Sequence, residues 1–422
     1  MENRITREIN KRKFGQINVP FFLLCCLIIL TYFYPIATIM PSFVQIPFFF
    51  LWILATAKDG KMWRKAFNIS LVSIFMFVYS LIRCVIAGQL NMEYYSTFQA
   101  VIQRYQLMVF TIIYVYVVDL DRDKKKKVFM LSTFSIFVTC LFSLFYVFFV
   151  DPQAIRNTQR DYLWGVGDFV LMYAMAIFLG PFLHLIVLKR KRHEKILNYV
   201  VLFVTMLITI IMCNLVTSVV VATISIVLTY CISRKQKALF IIFAAIGALL
   251  FSLRKVFGKL LYSLADEHIF YWSTNNKIIA IANILSGVAD TTNVDTITRR
   301  FMLAEFSMTS FRNNPIFGID WKDSRYGTIG GHMQWADDLG RYGIIGALIN
   351  IPYYIYLCHY TSNYNKSTIV HDSMLSAWLV FFILGFLNPN LSGTILMILF
   401  VVIPTFDSLI GDYHGAENSF SG

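Results

Sequence analysis

Residues 121–150 read DRDKKKKVFMLSTFSIFVTCLFSLFYVFFV, and this stretch decides the fold class. Lys124 to Lys127 stand in a row, and from Val128 to Val150 no charged residue follows. As a helix the apolar run extends about 35 Å, enough to cross roughly 30 Å of hydrocarbon. Lysine pays a few kcal/mol to enter that medium, so the basic block marks where the membrane ends.

The same alternation extends in both directions. Apolar runs at 17–39, 42–57, 67–87, 98–118, 128–150, 163–188, 196–213, 215–232, 238–253, 342–358, 373–388 and 391–410 predict a bundle of about twelve transmembrane helices. Segments rich in Lys and Arg (Lys58–Lys65, Asp119–Lys127, Lys189–Lys195 and Arg234–Lys237) occupy every second loop. Basic loops stay in the cytoplasm, which puts both termini inside. The N-terminal Arg4, Arg7, Lys11, Arg12 and Lys13 precede the first run without a small-residue cleavage site, so that run reads as an uncleaved helix. One junction matters: 196–213 and 215–232 meet at Asn214 with almost no loop, and a single long helix there would invert everything downstream.

Composition agrees. Of 422 residues 57% are hydrophobic and 14% charged, with mean hydropathy +0.62. Soluble domains carry about 25% charged residues. The net charge of +13 lies in short clusters between apolar runs, a topological signal rather than a nucleic-acid face. The seven cysteines fall in or beside the spans without a paired CxxC, so no disulfide framework and no zinc site is indicated.

The spans divide the chain into residues 1–253 with about nine helices, a large loop at 254–341, and 342–422 with about three helices and a cytoplasmic tail. A connection of that length usually carries function. It falls on the extracytoplasmic side, and two short interfacial helices are expected in it. Phe301, Ala304, Met308 and Phe311 recur at helical steps within Thr298–Phe311, and Asn313-Asn314-Pro315 ends that segment because the residue before Pro is pushed out of the helical region. Val256, Phe257, Leu260, Leu261 and Leu264 give Arg254–Ala265 an apolar side.

Three segments of this region form an ordered set: RRFMLAEF at 299–306, NNPIFG at 313–318 and GGHMQWADDLGRYGIIG at 330–346. The set resembles the signature of the O-antigen polymerase (Wzy) and O-antigen ligase superfamily, membrane glycosyltransferases in which an Arg opens a loop helix and an Asn-Pro-x-x-Gly turn closes it. There a Gly/His segment with a downstream Asp leads into Tyr-Gly-x-x-Gly at the next span. Arg300, His332, Asp337, Gly343 and Gly346 take those places. Met333 after the His, and the lack of a Trp after the loop-helix Arg, leave polymerase and ligase both open.

The resemblance implies glycosyl transfer outside the bacterial cytoplasmic membrane, from an undecaprenyl-pyrophosphate-linked glycan to an acceptor sugar hydroxyl, with a flippase and a chain-length regulator as potential partners. A diphosphate leaving group needs fixed cationic donors, which Arg supplies as a planar fork. Arg160, Arg299, Arg300, Arg325 and Arg341 fall on the expected outer face, and Arg83 and Arg104 lie one to two turns inside it. For these last two, snorkelling to headgroups competes with a functional role. Gln99, Gln103 and Gln106 share a face of their span that suggests helix–helix hydrogen bonding, with Arg104 pointing away from it. His332 is the candidate general base and Asp337 its orienter or a sugar ligand. Asn388 and Asn390 are further sugar-contact candidates. No metal or cofactor is called for. The rival classes are a lipid-linked oligosaccharide flippase and an envelope scaffold; the gathering of charges beyond the membrane, rather than at its middle, argues against the first.

Overall fold

The structure, a computed structural model, describes residues 18–40, 44–86, 95–155, 163–213, 215–235, 296–318, 329–364 and 367–410 and scattered positions between 256 and 282; of 95–98 and 296–301 the backbone alone is described. The described residues are helical with no strand. In order they form α1 (Val19–Tyr32), α2 (Tyr34–Ala37), α3 (Gln45–Thr56), α4 (Gly60–Ile86), α5 (Tyr95–Val118), α6 (Arg122–Phe149) and α7 (Phe169–Lys191). Then come α8 (Leu197–Met212), α9 (Val216–Ser233), α10 (Thr296–Asn313), α11 (Gln334–Asn363), α12 (Thr368–Gly385) and α13 (Gly393–Met397), whose axis continues irregularly to Leu409. Six helices among the described residues are long and apolar enough to cross a membrane. The chain is a multi-pass α-helical membrane protein. The expected span at 238–253 and most of the expected helix at 254–265 lie outside the described residues.

Solvent preference is visible on single helices. Along α4, Phe67, Leu71, Phe75, Val78, Ile82 and Val85 are exposed at steps of three and four, and along α8 Leu197, Val201, Val204, Ile208 and Ile211 repeat the pattern. Stripes this apolar and this long suit acyl chains, not water. By contrast α7 is buried on all sides from Leu171 to Phe182, and so is the irregular segment around Ile395–Phe406; these two form the centre. Around them α7 packs on α8, α9 and α12, α4 on α5, and α10 on α11.

Backbone groups left open in hydrocarbon must find partners inside the protein. Pro181 cannot donate to the carbonyl of Ile177, and the Ser225 hydroxyl of α9 donates there instead at 2.8 Å. Gly180 lets α9 approach this closely, since a Cβ there would meet the Ser225 carbonyl at 2.2 Å. The expected unbroken helix over 17–39 is divided at Phe33, ahead of Pro35. Thr139 of α6 bridges the break, donating to Tyr32 O at 2.7 Å and accepting from Tyr34 N at 3.1 Å.

Residues from the basic segments gather at one end of the bundle. Lys65 pairs with Asp119 at 2.9 Å and reaches the Tyr364 hydroxyl. Arg122 donates to the carbonyls of Ser408 and Ile410, Lys189 donates to that of Leu409, and Lys125 pairs with Asp407 at 2.8 Å. The open carbonyls where the last helix ends thus find cations, which a helix C-terminus favours. Lys235 lines one cavity with Ser362, Asn363 and His371 at the same end. Helix α8 ends at Met212, and Leu215, just ahead of α9, is extended. Residues 197–233 are therefore two helices: α8 leaves the basic end beside Lys189 and α9 returns to it at Lys235.

Candidate functional site

At the opposite end, the NNPIFG turn that closes α10 packs against α11. Gly343 has φ +63° and ψ −161°, which breaks α11 into an outer piece, 334–342, and a long inner piece. The amides of Ile344 and Ile345, released by that break, donate to Pro315 O at 2.8 Å and Ile316 O at 3.2 Å. Gly318, at φ +77°, lies so close that a Cβ would meet Arg341 O at 2.2 Å, and one on Gly343 would meet Ile316 O at 2.4 Å. Neither position accepts a side chain, because both need a left-handed backbone and both touch backbone. The Asn-Pro-x-x-Gly and Tyr-Gly elements are thus the two halves of one joint.

Ser307 of α10 ties the Gly/His segment to α11. Its hydroxyl donates to Asp337 Oδ1 at 2.6 Å and accepts from Gly330 N at 2.9 Å, while Gly331 N donates to the same carboxylate oxygen at 3.2 Å. Asp337 is buried, and burial raises its carboxyl above the ordinary range by more than Arg341 and these hydrogen bonds lower it. His332 follows the left-handed Gly331 and is exposed. The Asp337 oxygen that Ser307 and Gly331 engage is turned inward, a geometry suited to fixing the loop.

Inside the joint lies a denser polar cluster. Arg104 of α5 is 1% exposed and pairs with Asp338 at 2.8 Å. It also donates to the Tyr354 hydroxyl at 2.8 Å and to Asn350 Oδ1 at 3.4 Å, with Tyr342 stacked at 4.9 Å. Gln334 donates to Asp338 Oδ1 at 3.1 Å and to Gln103 Oε1 at 3.3 Å. Snorkelling is therefore not how Arg104 is accommodated; a carboxylate and a phenol hold it inside, as burial of a charge requires. Gln103 makes the interhelical bond expected of the Gln stripe. Arg104, about 100° further round α5, nevertheless joins the same network, because Gln334 and Asp338 are one turn apart on α11.

Arg83, in the last turn of α4, donates to the Tyr79 hydroxyl at 3.1 Å, to Phe317 O at 3.2 Å and to Arg341 O at 3.5 Å. Arg83 thus reaches the backbone of the buried Arg341, whose chain neighbour Tyr342 stacks on Arg104. Of the other expected residues, Arg299 and Arg300 lie in the first turns of α10, where the backbone alone is described, and Arg160 and Arg325 lie outside the described residues. Asn388 and Asn390 are buried, and Asn390 donates to Phe381 O at 2.8 Å. Sequence reasoning passed over Asp338, Gln334, Asn350 and Tyr354. Their signal was a polar register, since 334, 338, 342, 350 and 354 fall at multiples of four along α11. No protein-family model matches the chain, and no curated protein matches it significantly in sequence.

Proposed function

We propose that the chain is a bacterial surface-polysaccharide polymerase. It transfers a polyprenyl-diphosphate-linked glycan to a sugar hydroxyl of an acceptor at the outer face of the cytoplasmic membrane. The observation that carries this reading is the joint itself. The motif glycines lock α10 onto α11, and Arg83 bonds the backbone of both halves of this joint, at Phe317 and Arg341, at the end remote from the basic residues. By the positive-inside rule that end faces out, and a topology of twelve spans with a large outer loop at 254–341 accompanies it.

In the reaction the acceptor oxygen forms a bond to the anomeric carbon as the bond from that carbon to the phosphate oxygen breaks. The electron pair leaves on the diphosphate, where guanidiniums offer stabilisation that grows as the charge develops. The proton of the acceptor hydroxyl passes to a base, for which exposed His332 is the candidate. Arg300 is assigned with Arg83 and Arg341 to the diphosphate, on the strength of its place in the motif.

Cells producing Arg300→Ala or His332→Ala are expected to carry surface glycan of single repeat units, seen on a gel as loss of the ladder. An intact ladder in both would overturn the reading. A ligase would leave no unit attached at all, and a flippase defect would trap lipid-linked units on the cytoplasmic side.

A further inference from the structure

We propose that Gln334, Asp338 and Asn350 form a recognition site for sugar hydroxyls, and that Arg104 is the positioning residue that holds it; as an acceptor subsite this rests on the polymerase reading. Four atoms of the cluster are buried without a hydrogen bond; Arg104 Nη2 is ion-paired to Asp338, which leaves three with no partner: Asp338 Oδ2, Gln334 Oε1 and Asn350 Nδ2. Their residues are 8%, 1% and 4% exposed. Buried polar atoms ordinarily find partners, and three orphans around one guanidinium define a place built to bond something else.

The chemistry of the set selects the ligand. Two acceptors and one donor suit groups that both give and take hydrogen bonds. A phosphate would bring only acceptors against the Asp338 carboxylate. A cation would meet Arg104, whose charge already balances that carboxylate at 2.8 Å. A neutral polyol satisfies all three atoms without adding charge to a low-dielectric interior. Asp338 Oδ1 is fixed by Arg104 and Gln334, so its second oxygen is oriented before any ligand arrives. Gln103 and Tyr354 brace the same frame from α5 and α11. Tyr342, stacked on Arg104, follows Arg341 in the chain and touches the ring of Tyr79 that Arg83 bonds, so a bound sugar would border the residues proposed to hold the diphosphate.

Gln334→Met and Asn350→Leu remove the open atoms, and with them the Gln334 bonds to Asp338 and Gln103 and the Arg104 bond to Asn350, while keeping volume and the Arg104–Asp338 ion pair. The probe is the repeat-unit oligosaccharide released by mild acid from the lipid-linked intermediate of cells lacking this chain. Calorimetric titration of the full-length protein in nanodiscs measures its binding, and chain extension of the lipid-linked unit measures transfer. Each variant is expected to weaken binding about tenfold, the scale of one lost hydrogen bond in a buried site. The acceptor KM should rise by a similar factor with kcat nearly unchanged and thermal midpoints within a few degrees. Equal affinity in wild type and both variants, or no binding by wild type, overturns the site and assigns the three atoms to buried water. Binding that the variants weaken, in a wild type with no transfer, keeps the site and sinks the polymerase reading instead.

Discussion

Removing one partner of a buried ion pair leaves an uncompensated charge, so Arg104 and Asp338 should be the costliest single substitutions in the outer half of the bundle. Arg104→Leu is expected to lose roughly 3–5 kcal/mol of stability, measured as detergent-solubilised unfolding, and Arg104→Met with Asp338→Leu should recover much of it. A single mutant as stable as wild type would contradict the pairing. Asp337 makes a different prediction, through pH. Its carboxyl is raised by burial, so the folded chain keeps a proton that the unfolded chain gives up near pH 4. Stability is then greatest below that pH and falls as pH rises toward the folded value. Asp337→Asn retains the oxygen that accepts from Ser307 and Gly331 and should flatten this part of the profile, read as thermal midpoints between pH 4 and 7. A slope unchanged from wild type would reject the assignment. At this scale the sequence showed Arg104 as a charge in an apolar run but not its partner, because Asp338 lies more than two hundred residues away.

Between α10 and α11 the joint rests on two glycines. Gly343→Ala forces a methyl-bearing residue into a left-handed backbone against the Ile316 carbonyl. It should cost roughly 1–3 kcal/mol or more, seen as a lowered thermal midpoint; Gly331→Ala, where a Cβ meets nothing within 4 Å, serves as the control for backbone strain alone. In the centre, Ser225→Ala strands the Ile177 carbonyl beside Pro181 and should cost about 1–3 kcal/mol. Helix existence was legible wherever apolar periodicity was strong: Thr298–Phe311 from the sequence became Thr296–Asn313. Interruptions were less legible. The break before Pro35 depends on Thr139 accepting the freed amide, and the irregular turns from Ile398 to Phe406 lie where every side chain is buried, so hydropathy alone carries no mark of them.

For the molecule as a whole, basic segments separated along the chain meet at one end, and the Asn-Pro-x-x-Gly turn meets the Tyr-Gly break at the other. Charge patterning made the first legible, since a Lys-rich loop cannot cross the bilayer. The ordered motif made the second legible in part: Gln334, Asp338 and Tyr342 stand inside its last segment without a role read for them, and Arg104, Asn350 and Tyr354 lie outside it. A single cysteine introduced near residue 320 into a chain with its own seven replaced should react with a membrane-impermeant maleimide added to intact cells. Reaction only after lysis would invert the orientation. The most direct measurement is gel separation of surface glycan from cells in which this chain is deleted and then restored. Deletion should leave a band of one repeat unit and restoration should return the ladder; a full ladder in the deletion strain would contradict the proposed polymerase activity.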